Sequence, residues 1–185
     1  MAQDILGLEN GQVVLVPSTN SWSEAFEREA SNLKLVMKDR LLGIEHVGST
    51  AIPGIRAKPI LDIMVGVANL TDRPDLAPDL TELNYEIRPN AGLPAEHVFA
   101  KGTPRTHLLH VVEYDGEVWQ QKLAFRDALR ADDQLALAYE KLKVELSLRF
   151  AADRAAYTDG KTEFVRGIVT SRLRDAKLLT RSERP

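Results

Sequence analysis

An α/β (α+β) domain with a helical C-terminal part is the fold class this sequence predicts, and three observations carry the expectation. Short apolar runs with strand character, among them Ile44–Val47 and Pro59–Val67, are interleaved with stretches of helical spacing. From Trp119 onward the apolar period turns helical. A length of 185 residues is enough for one proper core and leaves no room for two. The expected single domain has its core between about residues 14 and 170, with a polar, frayed tail after Lys177.

Taken in order, Val13–Val16 reads as a short strand stopped by Pro17. Ser18–Ser23 supplies turn and capping chemistry, and Trp22–Leu42 then has helical spacing. Trp22, Phe26, Leu33, Val36, Met37 and Leu41 make its apolar face, and Gly43 ends it. The strands Ile44–Val47 and Pro59–Val67 are joined through a Gly-Ser turn. A helix is expected over Thr71–Asn84, followed by a strand over Asn84–Arg88. Residues 89–105 hold three prolines and two glycines around a brief strand at Val98–Ala100. Thr106–Tyr114 is a strand closed by Tyr114-Asp115-Gly116. In the helical third, Leu123, Leu129, Leu135, Tyr139, Leu142, Leu146 and Phe150 can share one side. A last helix spans Thr162–Leu173, with Phe164, Val165, Ile168 and Val169 facing inward. No repeat, low-complexity segment or linker interrupts the pattern.

Charged residues make up 28% and hydrophobic ones 44%, the balance of a soluble globular domain. A net charge of -3 argues against general nucleic-acid binding. Zero cysteines exclude disulfides, thiolate catalysis and Cys-based zinc sites. No apolar run reaches transmembrane length, and Met1–Asn10 lacks a basic start followed by an apolar segment. The cytoplasm is the expected location.

The most informative stretch is Ile44 to Val65. An apolar run ends at Gly48-Ser49, a small-residue turn follows, and a second apolar run carries one carboxylate, Asp62. Such a layout suits a phosphate site. Gly48 permits close backbone approach to an oxyanion, while Ser49 and Thr50 add hydroxyl donors. The simpler reading of those residues is a capped strand-to-helix turn. Lys58 carries a charge suited to a triphosphate or an acidic substrate, or is a solvated loop lysine. A carboxylate amid Ile60, Leu61, Ile63 and Met64 is costly unless it is paired or metal-bound. Either a site role or an ion pair to Lys58 or Arg126 satisfies Asp62.

Further candidates lie downstream. On a strand His110 faces with Leu108 and Val112, while His107 faces with Leu109, Val111 and Glu113. Metal ligation by His46 and His110 competes with ordinary core or surface histidines. Glu113 is a possible further carboxylate, on the face opposite His110 unless the strand bulges. Arg126 and Arg130 are one helical turn apart and can point together. With Lys143 and Lys161 they would form a cationic wall opposite Asp62, or pair as solvated helix charges with Asp127, Asp132 and Glu140. Tyr139 and Tyr157 read as core aromatics with wet hydroxyls.

An apolar residue, Gly-Ser, roughly ten residues and then an aspartate among apolar neighbours resembles the signature of polymerase-beta-like nucleotidyltransferases. Gly48-Ser49-Thr50-Ala51-Ile52-Pro53-Gly54 with Ala57-Lys58-Pro59-Ile60 narrows the resemblance to the GrpB family. Thr106–Val112, Phe125–Arg130, Tyr139–Lys143 and Tyr157–Lys161 resemble that family's later landmarks, so the likeness runs from about Val14 to about Val169. The sequence departs from the pattern at Leu108, where the family commonly has a histidine, and at Met64, where the superfamily usually has a second carboxylate.

The resemblance implies a polymerase-beta-like fold with a mixed sheet. It implies binding of a nucleotide or other small phosphorylated ligand, with possible metal-dependent nucleotidyl transfer to a small acceptor. In that reading Gly48, Ser49, Thr50, Lys58, Arg126 and Arg130 bind a nucleoside triphosphate. Asp62 and Glu113 are catalytic, and Asp62 with His110 holds magnesium. The alternative is a non-catalytic interaction or folding-helper module with a protein partner, like the similar domain fused to dephospho-CoA kinase; Met64 favours it.

Overall fold

The computed structural model describes residues 6–70, 73–89, 91–92 and 95–182. Strands Gly43–Val47 (β1), Leu61–Val67 (β2), Tyr85–Ile87 (β3), His97–Lys101 (β4) and His107–Glu113 (β5) form one mixed sheet in the order β1-β2-β5-β4-β3. β2 pairs antiparallel with β1 and parallel with β5. Parallel neighbours need a long crossover, and the helix Arg73–Glu82 (α2) with the β3–β4 hairpin supplies it.

Both faces of the central strands are covered, which explains their nearly unbroken apolar runs. On one face Leu61, Ile63, Val65, Leu109 and Val111 pack against Trp22, Leu33 and Met37 of the helix Ser21–Met37 (α1) and Leu76 and Leu80 of α2. On the other, Val47, Met64 and Val112 meet Val118 and Trp119 of the helix Glu117–Ala131 (α3). The helices Asp133–Arg149 (α4), Arg154–Asp159 (α5) and Thr162–Ser182 (α6) complete the C-terminal part. There Phe125, Leu129 and Tyr139 surround Ile52 and Ile55 from the loop between β1 and β2, with Phe164, Val165, Ile168 and Val169 packed outside.

Several expectations are corrected. Val13–Val16 is no strand: Val16 makes an isolated bridge to Ala57, and the Val13 N–H donates to the Ala151 carbonyl instead. α1 stops at Met37, followed by a 3-10 turn over Lys38–Arg40. Gly43 does not end that helix but opens β1, where the rings of Tyr114 and Trp119 lie 2.6 and 2.7 Å from where a Cβ would stand. The Thr71 start expected for α2 lies outside the described residues; the helix is described from Arg73 and ends at Glu82. The last helix continues past both Leu173 and Lys177 to Ser182. The expected single apolar side of the C-terminal third divides among three clusters. Leu123 joins the Met64 group, Leu129, Leu135 and Tyr139 the Ile52 group, and Leu142, Leu146 and Phe150 pack with Val13 and Tyr157. The break at Asp132, whose extended backbone caps α4 by accepting from the Gln134 and Leu135 N–H groups, resets the helical phase. Among the described residues no helix is long and apolar enough to cross a membrane.

Candidate functional site

The antiparallel register sets Val47, the last residue of β1, opposite Asp62 near the start of β2. The chain leaving β1 must therefore turn across the Asp62 carboxylate. Gly48 does this with φ +69° and ψ -170°, and a Cβ there would run into Asp62, approaching its Cγ to 2.8 Å. No other residue combines that conformation with that proximity. Ser49–Ala51 follow as a 3-10 turn.

The turn is clamped from both sides. On the α4 side Ser49 interacts with the Tyr139 hydroxyl, partly offsetting the burial that raises the Tyr139 pKa to about 12. His46 Nε2 lies 3.0 Å from Thr50 Oγ1, and its ring stacks on Phe26 of α1 at 4.9 Å. Burial, reinforced by Arg130 and Arg126 against the opposing pull of Asp62, lowers the His46 pKa to about 4. His107, also buried, falls to about 4. Both are neutral in the folded protein at neutral pH, whereas an unfolded histidine takes up a proton near pH 6.5. Stability should therefore be full above about pH 6.5 and fall toward pH 4, by about 1.4 kcal/mol per pH unit for each histidine. Urea midpoints between pH 7.5 and 4.5 check this, and a flat profile for wild type and His46→Gln alike would contradict it.

Asp62 shares its sheet face with His110 of β5. His110 Nε2 is 3.4 Å from Asp62 Oδ1, and its Nδ1 donates to Glu96 Oε2 at 3.0 Å. The Glu96 side chain, 2% exposed, is also held by Lys122 Nζ at 3.1 Å. Burial alone would raise the Asp62 pKa. The hydrogen bond and charge of His110, with Lys58 and Lys122, outweigh it and keep the carboxyl below its usual range. Asp62 is thus an aimed, ionised carboxylate at the bottom of the turn.

Around it stands a group of cations. Lys58 and Lys161 lie over the ring of Tyr157 at 5.0 and 4.6 Å, and Lys143 over Tyr139 at 4.8 Å. Lys143 is 1% exposed and donates to the Arg56 carbonyl. Burial and then the charge of Lys161 lower both Lys58 and Lys143 to about 7. Lys161 and Arg154 are likewise lowered by burial, with Asp62 pulling the other way. The Arg154 Nε and Nη2 atoms are shielded from solvent without a hydrogen-bond partner. Shielded guanidinium nitrogens normally have acceptors, so this group is short of anions.

The structure brings together Gly48, Ser49, Asp62, Lys58 and His110, with Lys143 and Lys161 from the expected cationic wall. It does not bring Arg126 there. Its Nη1 donates to Glu45 Oε2 at 2.6 Å and to the His46 carbonyl, and its Nε donates to Asp127 at 2.7 Å. Burial would lower its pKa, but those two carboxylates raise it. Arg126 ties α3 to β1. Arg130 is exposed and donates from Nε to the Ala51 carbonyl. With Thr50, it lines a separate polar cleft of about 400 Å³ beside Ser18, Thr19 and Ser23.

Glu113 is also corrected. It is exposed at the far end of β5, on the face opposite His110, and pairs in register with Val67 rather than Asp62. His46 points to the α1 face, its Nε2 occupied by Thr50, so it and His110 cannot share an ion. Tyr139 and Tyr157 are core aromatics, 4% and 1% exposed. Sequence reasoning missed Glu96, Lys122 and Arg154. Glu96 sits in a Pro/Gly-rich stretch without periodicity, and the other two look like ordinary helix-surface cations.

The magnesium expected at Asp62 and His110 does not fit these residues. The two meet each other as partners, Met64 occupies the next same-face position of β2 with no exposure, and Lys58, Lys122 and Lys161 act on the same carboxylate. Among the described residues no group of three His, Asp or Glu side chains is arranged to hold a metal ion. Magnesium favours several oxygen ligands in octahedral array, and β2 offers one.

Residues 12–171 match the protein family described as GrpB protein. A glutamate-rich protein GrpB of Alkalihalophilus pseudofirmus is 38% identical over 167 residues, which cover 87% of this chain and 96% of that protein. The crystal structure of a conserved protein GrpB from Enterococcus faecalis is similar at a TM-score of 0.80 and 31% identity, covering 88% of this chain and 99% of that one. A dephospho-CoA kinase of Mycolicibacterium paratuberculosis is 29% identical over 181 residues, which cover 83% of this chain and 44% of the kinase. The matched stretch takes in the glycine turn, both central strands and the cationic helices, and the chain belongs to the GrpB family.

Proposed function

We propose that this protein binds a nucleotide or another small phosphorylated molecule between the Gly48-Ser49 turn and the cations Lys58, Lys143, Lys161 and Arg154. The observation that carries the reading is the pair of shielded, unpartnered Arg154 nitrogens inside a cation cluster whose nearby carboxylates are Asp62 and Glu140. Charge-assisted bonds to phosphate oxygens would satisfy that guanidinium and relieve the mutual repulsion of the lysines. Ser49 adds a hydroxyl at the same turn. Asp62, aimed by His110 and Glu96, would accept a hydrogen bond from a hydroxyl or amine acceptor beside the phosphate. Nucleotidyl transfer to such an acceptor is the activity this arrangement would serve.

A second reading has its own support. Met64, sealed under Trp119, removes a carboxylate position, and the likeness to a dephospho-CoA kinase covers less than half of that enzyme. A GrpB domain that supports a partner through the same site without turning over its ligand accounts for both. Thermal shift with ATP, CTP, GTP, UTP and dephospho-CoA tests the shared core of these readings. A ligand at a hundred times its dissociation constant should stabilise the fold by about 2.7 kcal/mol. Release of pyrophosphate from a shifting nucleotide with an acceptor present would favour transfer, and binding without release the supporting role. No shift with any of these compounds removes the phosphate reading.

A further inference from the structure

We propose that the phosphate groups enter this site as the metal-free anion, with Lys58, Lys143, Lys161 and Arg154 supplying the charge that a divalent cation supplies elsewhere. This rests on the phosphate reading above and says which form of the ligand the site accepts. Three observations carry it. First, one oxygen of the carboxylate is already taken: Asp62 Oδ1 faces His110 Nε2 at 3.4 Å, Val47 and Leu108 flank Asp62 in register, and Met64, the next same-face residue of β2, is closed off from solvent and brings no oxygen. A magnesium ion brought to Asp62 would find a single protein carboxylate, the minimum at which such an ion is held, and would have to compete for it with His110.

Second, the electrostatics oppose a second positive body. Lys58, Lys122, Lys161 and Arg154 already act on Asp62, so an arriving divalent ion would be repelled by all of them in a partly desolvated cleft. Third, the donors are suited to bare phosphate oxygens. The two free Arg154 nitrogens form a fork, and the Lys58 and Lys161 ammoniums over the Tyr157 ring present point charges. Magnesium chelated across a di- or triphosphate would occupy those oxygens and cancel two of its charges, removing what the cluster recognises.

Isothermal titration with inorganic tripolyphosphate and with ATP, each in EDTA and in excess magnesium, tests the inference on the wild-type chain. The expected result is binding in EDTA at least as tight as in magnesium. Separate Lys161→Gln and Arg154→Gln variants, checked for native melting, should each weaken metal-free binding roughly tenfold, a ratio worth about 1.4 kcal/mol. Tighter binding in magnesium overturns the metal-free inference while leaving a phosphate site in place. Metal-free binding untouched by both substitutions puts the anion elsewhere and also overturns it. Absence of binding in both conditions sinks the phosphate reading beneath it.

Discussion

Met64→Asp is expected to unfold much of the protein and to gain little from magnesium. Met64 has no exposure and packs against Val47, Val112, Val118 and Trp119. Removing a buried methionine side chain costs about 2–5 kcal/mol before any charge is considered. The new carboxylate would be buried among those apolar groups and share a strand face with Asp62, so its own pKa would rise. The total approaches the 5–15 kcal/mol that holds an ordinary domain folded. If Met64 merely filled the place of a lost metal ligand, the variant would instead be restored by magnesium. Urea denaturation in EDTA and in magnesium separates the outcomes, and restoration to near wild-type stability would show that the two-carboxylate geometry is still accessible.

Asp62→Asn should destabilise the chain by about 1–3 kcal/mol, less than for a fully buried ion pair because the Asp62 side chain is 29% exposed, since the cations around it lose their shared counter-charge. Asn keeps the shape and a hydrogen-bonding group for His110, so packing changes little. The telling readout is rescue. With the carboxylate gone, phosphate or tripolyphosphate should raise the melting temperature of the variant more than that of wild type, since the anion then takes over the neutralising role. A variant as stable as wild type, or one whose response to anions is no larger, would mean that Asp62 is not electrostatically coupled to Lys58, Lys161 and Arg154.

Much of this was legible from residue order. The strands around Gly48 and Asp62 were readable because apolar runs and turn residues act locally, through steric and hydrogen-bonding preferences spanning a few residues. The same holds for α1, whose face of Trp22, Leu33 and Met37 packs as the spacing predicts. Where the reading erred, it extended a local rule across a break, as in the single apolar side drawn through α3, α4 and beyond. Glu113 was a failure of another kind. Parity already put it opposite His110, and the pairing of Val67 with Glu113 then set it five residues beyond Leu108, Asp62's partner on β5, roughly 16 Å along the strand.

What the sequence determined by itself is the turn and its carboxylate: a glycine that must precede Ser49, and an aspartate whose burial demands partners. Which partners those are only the tertiary structure decided. Arg126 and Lys161 look alike as charges in the helical C-terminal third, yet one closes on Glu45 and Asp127 while the other, in the turn between α5 and α6, stands over Tyr157 beside Lys58. The difference arises from how α3 lies on the sheet and how α5 and α6 fold back over the β1–β2 loop. Glu96, from an irregular stretch before β4, reaches His110 because β4 pairs with β5. Such choices depend on distances between groups far apart in the chain, and Coulomb and desolvation energies are set by those distances rather than by residue order.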